Sequence, residues 1–286
     1  MAVVATGFFD GVHLGHREVI RTLVSSARER GEEAIAVTFA THPRAVLQQD
    51  ARSLRLLSSP QEKIALLKSL GVDRVEVLEF SREFSRLTAG EYLRDTVRAR
   101  LGGTAIVLGY DNRLGSDNLT PSLIEPLARG LGLDVVIVPA ALSPEHKLVS
   151  STKIREALAA GQVEEAASML GYEYPVSGVV VGGKQLGRIL GYPTANMQLY
   201  EPLKLIPGRG VYLSEVETLG GRYYGMTNVG DIIETHIFDF SEDIYGLDIT
   251  VRFIRRLRDG HRFESLDALK AQLSRDELAC RELLGK

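Results

Sequence analysis

Residues 2–16 run Ala2-Val-Val-Ala-Thr-Gly-Phe-Phe-Asp-Gly-Val-His-Leu-Gly-His16. Residues 2–6 are a short β-prone apolar run, 7–12 a glycine-rich turn, and from 16 to 30 apolar residues recur at helical spacing. The same alternation continues downstream. Residues 33–39 form another apolar run, and 60–70 read as a helix with Ile64, Leu67 and Leu70 on one side. The spacing then predicts a strand over 74–79, a helix over 89–101, a strand over 104–108, a helix over 119–131, a strand over 134–139 and a helix over 152–160. Strands alternating with crossover helices predict an α/β fold, a parallel sheet with helices on both faces. Such sheets bind ligands beyond the carboxyl ends of their strands, so chemistry is expected after Thr6, Phe39, Leu108 and Pro139.

The pattern changes after Tyr172. Residues 176–181, 210–218, 222–228, 235–239 and 247–253 are short runs rich in Val, Ile, Tyr and Thr, separated by Gly and Pro. They predict a small antiparallel barrel or sandwich. A helical period returns through Leu266, Leu269, Leu273 and Leu278, with Ser265 as its N-cap. The expected organisation is one domain over 1–160, a linker over 161–173 and a second domain over 174–286.

Composition narrows the function classes. The 286 residues are 44% hydrophobic and 25% charged, with mean hydropathy near zero, which argues against disorder, collagen and coiled coil. A net charge of −3 argues against a general nucleic-acid coat protein. One cysteine, Cys280, excludes an intrachain disulfide and a Cys-rich zinc site and fits a reducing compartment. No apolar run approaches the ~18 residues of a membrane span, and the first residues lack the pattern of a signal peptide. The expectation is a cytoplasmic protein whose partners are small molecules, not nucleic acid or membrane, with its oligomeric state unspecified.

His13 and His16, three residues apart, put two imidazoles on one side of a first helical turn, and Gly11 and Gly15 permit close backbone approach. A helix N-terminus favours phosphate, and the pair suits stabilisation of charge on a triphosphate being cleaved. Ser150, Ser151 and Thr152 place three hydroxyls at another helix start, followed by Lys153 and Arg155. Positive charge there opposes the helix macrodipole, an arrangement that an anion would relieve.

Together these stretches resemble the H-x-G-H and S-S-T-x-x-R signatures of the nucleotidylyltransferase superfamily. Thr38-Phe39-Ala-Thr-His42-Pro43 is similar to the T-F-x-x-H-P segment of the adenylyltransferase module of prokaryotic bifunctional riboflavin kinase/FAD synthetases. Gly109-Tyr-Asp111-Asn112-Arg-Leu114-Gly115 resembles that module's G-x-[DN]-F-x-F-G, with Asn112 and Leu114 in place of its aromatics. The resemblance implies a Rossmann-like nucleotidylyltransferase domain. It puts ATP on Gly7, Phe8, Asp10, His13, His16, Ser150, Ser151, Thr152 and Arg155, with the two histidines and Arg155 catalytic. It puts the flavin on Phe39, His42, Pro43 and Asp111.

Gly178-Val-Val-Val-Gly182-Gly183-Lys184-Gln185 nearly matches a P-loop, but Gln185 replaces the Mg²⁺-binding hydroxyl and no helix is expected to follow. Further on, Gly187-Arg188-Ile-Leu-Gly191-Tyr192-Pro193-Thr194-Ala195-Asn196 sets a Thr hydroxyl and an Asn carbonyl two residues apart, on one side of an extended chain. Two neutral oxygens can hold a Mg²⁺ coordinated mainly by water and ATP phosphates; a plain turn is the competing reading. Followed by Pro207-Gly-Arg-Gly210, Thr227-Asn-Val-Gly230, Glu234-Thr-His236 and Leu257-Arg258, this segment resembles the riboflavin kinase domain in consecutive order. That resemblance implies an antiparallel six-stranded β-barrel with a terminal helix. Riboflavin and ATP would there give FMN, which the N-terminal half would join to AMP to give FAD and pyrophosphate. It further implies kinase ATP contacts at Gly178, Gly182, Gly187, Arg188 and Pro193, metal contacts at Thr194 and Asn196, a flavin contact at Arg258 and a catalytic base at Glu234. Glu234 and His236 alternate along a strand, so both point one way while Thr235 points the other. Only Asp231, Ile232 and Ile233 separate Gly230 from Glu234, a shorter approach than in relatives.

Three other classes compete: a flavin-binding regulator with decayed sites, a nucleotidylyltransferase with another acceptor, and an RNA-binding barrel. His146 and His261 read as solvated, and Cys280 as a small packing residue.

Overall fold

Along β1 (Ala2–Thr6) successive side chains leave on opposite faces, and both faces are buried. Val4 joins one hydrophobic cluster while Val3 and Ala5 join another, so this strand needs cover above and below. The computed structural model, which describes residues 1–47, 54–142, 148–183 and 186–285, supplies that cover. His146, Lys184 and Gln185 lie outside the described residues. The chain divides into two compact units, Met1–Ser151 and Thr152–Lys286.

The first unit alternates as its sequence predicts. β1 leads to α1 (Leu14–Arg30), β2 (Glu33–Phe39), α2 (Pro43–Leu47), α3 (Pro60–Ser69) and β3 (Arg74–Leu78). Next come α4 (Ala89–Glu91), continued by a π-helical stretch (Tyr92–Arg100), then β4 (Gly103–Gly109), α5 (Pro121–Gly130) and β5 (Asp134–Val138). The parallel sheet has the order β3-β2-β1-β4-β5. Ile20, Leu23 and Ala27 of α1 pack on one face, over small residues such as Ala5, Ala36 and Ala105. Tyr92, Leu93, Val97 and Ile124 cover the other, over Val4, Val37, Ile106 and Leu108. Local signals set the helix starts. Ser59 and Glu62 form a reciprocal capping box with Pro60 in the first turn of α3, and Thr88 and Glu91 do the same for α4. Strand order reverses across β1, so the loops after β1 and β4 open a crevice between them.

The helix α6 (Ser151–Ala159) crosses the boundary between the units. In the second unit follow α7 (Val163–Leu170), β6 (Tyr174–Val181), α8 (Leu186–Leu190), β7 (Ala195–Leu199), β8 (Gly210–Thr218), β9 (Gly221–Val229), β10 (Ile233–Ile237), β11 (Asp248–Arg258) and α9 (Leu266–Leu283). The six strands close into a barrel in the order β10-β7-β6-β11-β8-β9. The alternation in β6 is complete: Tyr174, Val176, Gly178 and Val180 are inside. Ser265 caps α9, its hydroxyl accepting the Ala268 N–H at 3.1 Å. Cys280 of α9 is buried against Leu213, Met226 and Phe238, and burial pushes its thiol up to about 12, so it is a packing residue.

Several elements differ from the sequence expectation, and α2 is absent from that reading. Residues 161–173, read as a linker, contain α7, whose Val163, Ala166, Met169 and Leu170 are buried. A short helix, α8, does follow the P-loop-like stretch. The strand absent from the sequence reading is β7, which begins at Ala195 inside the P-T-A-N motif.

Candidate functional sites

The loop from β1 to α1 is held in a costly conformation. Phe9 (φ 53°), Gly11 (φ 75°) and Val12 (φ 38°) all lie in the left-handed region, which a β-branched valine rarely adopts. Asp10 fixes the loop from its centre. Its buried carboxylate accepts the backbone N–H of Leu57 (2.9 Å) and of Ser58 (3.0 Å), and the Ser58 hydroxyl at 3.3 Å. Its carbonyl accepts the Ser151 hydroxyl at 3.2 Å. Asp10 therefore turns its charge into the protein and acts on the site by holding the loop.

That loop delivers His13 as the N-cap of α1, with Nδ1 accepting the His16 N–H at 3.3 Å. The two imidazoles stack at 3.6 Å between centroids and 15° between planes. Nδ1 of His16 is buried with no hydrogen-bond partner among the described residues. Because Nδ1 of His13 accepts, the neutral His13 ring carries its proton on Nε2. Burial first, then His13 and Lys63, hold the His16 pKa well below the ordinary histidine value. His16 thus offers a neutral N–H. Thr152 and Arg155 lie on α6, Thr152 exposed and Arg155 partly buried, with Ser150 just before it.

At the crevice a cavity of about 550 Å³ has aromatic walls. Phe8, Phe39, Phe80 and Phe84 line it, with Gly7, Leu114 and Asn112. Phe39, Phe80 and Phe84 meet edge to face. His42 packs its ring on Phe8 at 4.4 Å. Pro43 starts α2. Asp111 is exposed and does not line the cavity; its neighbour Asn112 does, its amide donating to the Thr6 carbonyl at 3.5 Å. Leu114, in place of an aromatic, supplies buried apolar wall. The sequence reading also passed over Lys63, which is buried beneath Phe8.

In the barrel, strand register assembles the second site. Glu234 pairs with Asn196 on one side and Asn228 on the other, so the three side chains form a row across β7, β10 and β9. Thr235 points inside, where its hydroxyl meets that of Thr227 at 3.0 Å, so Glu234 and His236 face outward. His236 donates from Nδ1 to the Pro193 carbonyl at 2.8 Å. Two cavities lie beside β10, the smaller taking in the outward Glu234 and His236 and the larger the inward Thr235 and Ile237. One of about 340 Å³ is lined by Arg188, Pro193, Thr194, Asn196, Asp243 and Tyr245. The other, about 270 Å³, is lined by Gly187, Thr194, Asn228, Glu234, His236 and Arg258. Thr194 lines both.

Neutral oxygens at Thr194 and Asn196 suit a hard cation that brings most of its ligands with it. Gly183 leaves room for the Asn196 amide, since a Cβ there would fall 2.2 Å from its Nδ2. Gly178 lines neither cavity. It lies within β6, where a Cβ would fall 2.2 Å from the Gln198 carbonyl. Gly182 lines neither cavity and has open space around it. Arg258 is committed within the protein: it donates to Asp276 of α9 from Nε (2.9 Å) and Nη2 (2.6 Å), and to the Asp259 carbonyl from Nη1. His261, read as merely solvated, is exposed but lines the 270 Å³ cavity.

The chain is similar to known proteins along its whole length. Residues 1–153 match the FAD synthetase family and residues 170–284 the riboflavin kinase family. A bifunctional riboflavin kinase/FMN adenylyltransferase of Listeria monocytogenes is 33% identical, with 99% of this chain and 93% of the relative covered. The protein of the same description from Escherichia coli is 34% identical over the same shares. A solved Streptococcus pneumoniae structure, described as a macrolide-efflux protein, superposes with a TM-score of 0.91 at 36% identity, covering 98% of this chain and 93% of that one. Among the described residues of the present chain no helix is long and apolar enough to cross a membrane.

Proposed function

The chain belongs to the family of bifunctional riboflavin kinases/FMN adenylyltransferases, and on that premise we propose which of its residues carry the two reactions. It transfers a phosphoryl group from ATP to riboflavin, giving FMN, and joins FMN to AMP, giving FAD and pyrophosphate. The first reaction belongs to the barrel and the second to the parallel-sheet unit.

For the kinase step, the observation that carries the reading is the Asn196–Glu234–Asn228 row beside Thr194. ATP occupies the 340 Å³ cavity, with Arg188 and Pro193 on its wall, and riboflavin the 270 Å³ cavity. The ribityl hydroxyl meets the γ-phosphoryl group at Thr194, where the cavities adjoin. Glu234 accepts the hydroxyl proton as the oxygen attacks phosphorus. Thr194 and Asn196 would hold a Mg²⁺ brought by ATP, and the ion would neutralise charge on the phosphates. Gly187 borders the flavin side, and Arg258 braces the flavin wall through Asp276.

For the adenylyl step, the FMN phosphate attacks the α-phosphorus of ATP and pyrophosphate leaves. No covalent enzyme intermediate is needed, only positioning and charge stabilisation. The imidazole N–H groups of His13 and His16 donate to the triphosphate. Arg155, Ser150, Ser151 and Thr152 are assigned to it on their signature alone. The flavin ring enters the 550 Å³ cavity against Phe8 and Phe39. Asp10 and His42 support that wall and loop from behind, and Asn112 takes the polar role the signature gives to Asp111. The protein works in the cytoplasm on small molecules, without nucleic acid or membrane as partner. Incubation with riboflavin, ATP and Mg²⁺, followed by chromatographic separation of flavins, is expected to yield FMN and then FAD. Absence of either product removes the corresponding assignment.

A further inference from the structure

Lys63 of α3 is a buried amine to which neither reaction assigns a part. Lysine is almost never fully buried unless its charge is compensated. Here the ammonium donates to the Phe39 carbonyl at 3.1 Å and stands 3.9 Å from the centroid of the Phe8 ring. Phe39 is the last residue of β2, and Phe8 lies in the loop after β1. Both line the 550 Å³ cavity, and Lys63 does not. One cation thus ties two walls of the cavity from behind, while His42 packs on the same Phe8 ring.

We propose that Lys63 is a positioning residue of the adenylyltransferase flavin cavity, whose ammonium holds Phe8 and Phe39 as one wall so that FMN affinity follows the charge on this amine. The proposal rests on reading that cavity as the FMN side of the adenylyl reaction. A phenyl face attracts a cation electrostatically, and the attraction grows when the pair is shielded from water. A neutral amine keeps a donor for the Phe39 carbonyl but loses its hold on Phe8. Burial lowers the Lys63 pKa to about 8, against the opposing pull of Asp10. The charged groups to be considered are Asp10 from the loop after β1, His16 from α1 with His13 stacked on it, His42 beside Phe8, and Glu62 on α3 itself, which is held in its capping box.

The sign follows directly. Below pH 8 the ammonium is present and the wall is set; above it the charge is lost. The test is the KM for FMN in FAD formation by the full-length protein, at saturating ATP, from pH 7 to pH 9.5. The FMN phosphate, with its second pKa near 6, keeps its charge over that range. In the wild type the KM is expected to rise across pH 8. In Lys63→Met it should be raised about tenfold and show no step at pH 8. Lys63→Arg, charged throughout, should lose the step even if its larger head changes the KM itself. Riboflavin phosphorylation by the same samples should be unaltered. A purely structural role would instead lower the melting temperature and kcat together. A wild-type KM that is flat with pH overturns the proposal, and so does a wild-type KM in Lys63→Met. If Lys63→Met does not fold, the wild-type and Lys63→Arg profiles decide. Failure of the wild type to make FAD from FMN would overturn the adenylyltransferase reading instead.

Discussion

A neutral imidazole can donate a hydrogen bond to a phosphate without first losing the energy of a buried charge, and His16 is built for that state. His16→Ala should lower FAD formation from FMN by about 10²–10³, the usual loss for one preorganised donor, with FMN formation from riboflavin unchanged. Glu234→Gln keeps the shape of the carboxylate and removes the base; it should abolish most FMN formation yet leave FAD formation from added FMN intact. Phosphorylation at the wild-type rate by that variant would move the base elsewhere, with Asp231 the next carboxylate to test. Because Thr194 and Asn196 offer only neutral oxygens, calorimetry should find no tight Mg²⁺ binding without nucleotide; micromolar affinity in the apo protein would contradict the assignment. The placement of these groups was legible in the sequence: two histidines three residues apart stack at the start of α1, and a Glu two residues from a His shares its face of β10. Lys63 was not legible, because a lysine following Gln61-Glu62 reads as the solvent face of a helix and only packing under Phe8 buries it. Asn112 rather than Asp111 lines the cavity, and the sequence does not say so for a similar reason: adjacent residues of a turn point in different directions.

At the scale of elements, the strained turn between β1 and α1 depends on an anchor outside itself. Asp10→Ala would leave the amides of Leu57 and Ser58 without their acceptor and release the left-handed residues on either side. We expect a loss of about 1–3 kcal/mol per unsatisfied group in the stability of the first unit, read by thermal unfolding, together with loss of FAD formation and unchanged kinase activity. Asp10→Asn, which keeps one acceptor, should lose less. An undiminished melting temperature in Asp10→Ala would show that the turn holds itself. Elements with one strong period were legible in the sequence: the buried strands of the sheet, α1, and the alternating β6. Elements hidden by a motif or a prejudice were not. β7 begins within P-T-A-N, whose residue types favour turns, and closure of the barrel rather than local propensity makes it a strand. The eight residues of α7 sit where a linker was expected; their helix is stabilised by burying one side against β6 and β11.

For the whole molecule, the presence of two cores predicts that the reactions separate. A fragment of residues 152–286 should fold and make FMN but no FAD, since it retains α7 and the closed barrel. A fragment starting at residue 172 loses Val163, Ala166, Met169 and Leu170, and buried side chains of the larger kinds among them contribute about 1.5–3 kcal/mol each. It should therefore melt lower than the longer fragment, by a margin that differential scanning calorimetry resolves. FAD formation by either would break the assignment of the adenylyl step to the parallel-sheet unit. The strand order of that unit bears also on the time course of its synthesis. β1 leaves the ribosome before the other four strands, yet it lies in the middle of the finished sheet, between β2 and β4. A nascent chain that ends before Gly103 has a partner for β1 on one edge only, and Val3, Val4 and Ala5, buried in the mature protein, wait half-covered. The strand of this sheet made first thus waits for β4 before both its edges are paired, and the growing chain must be protected for most of the first unit's translation.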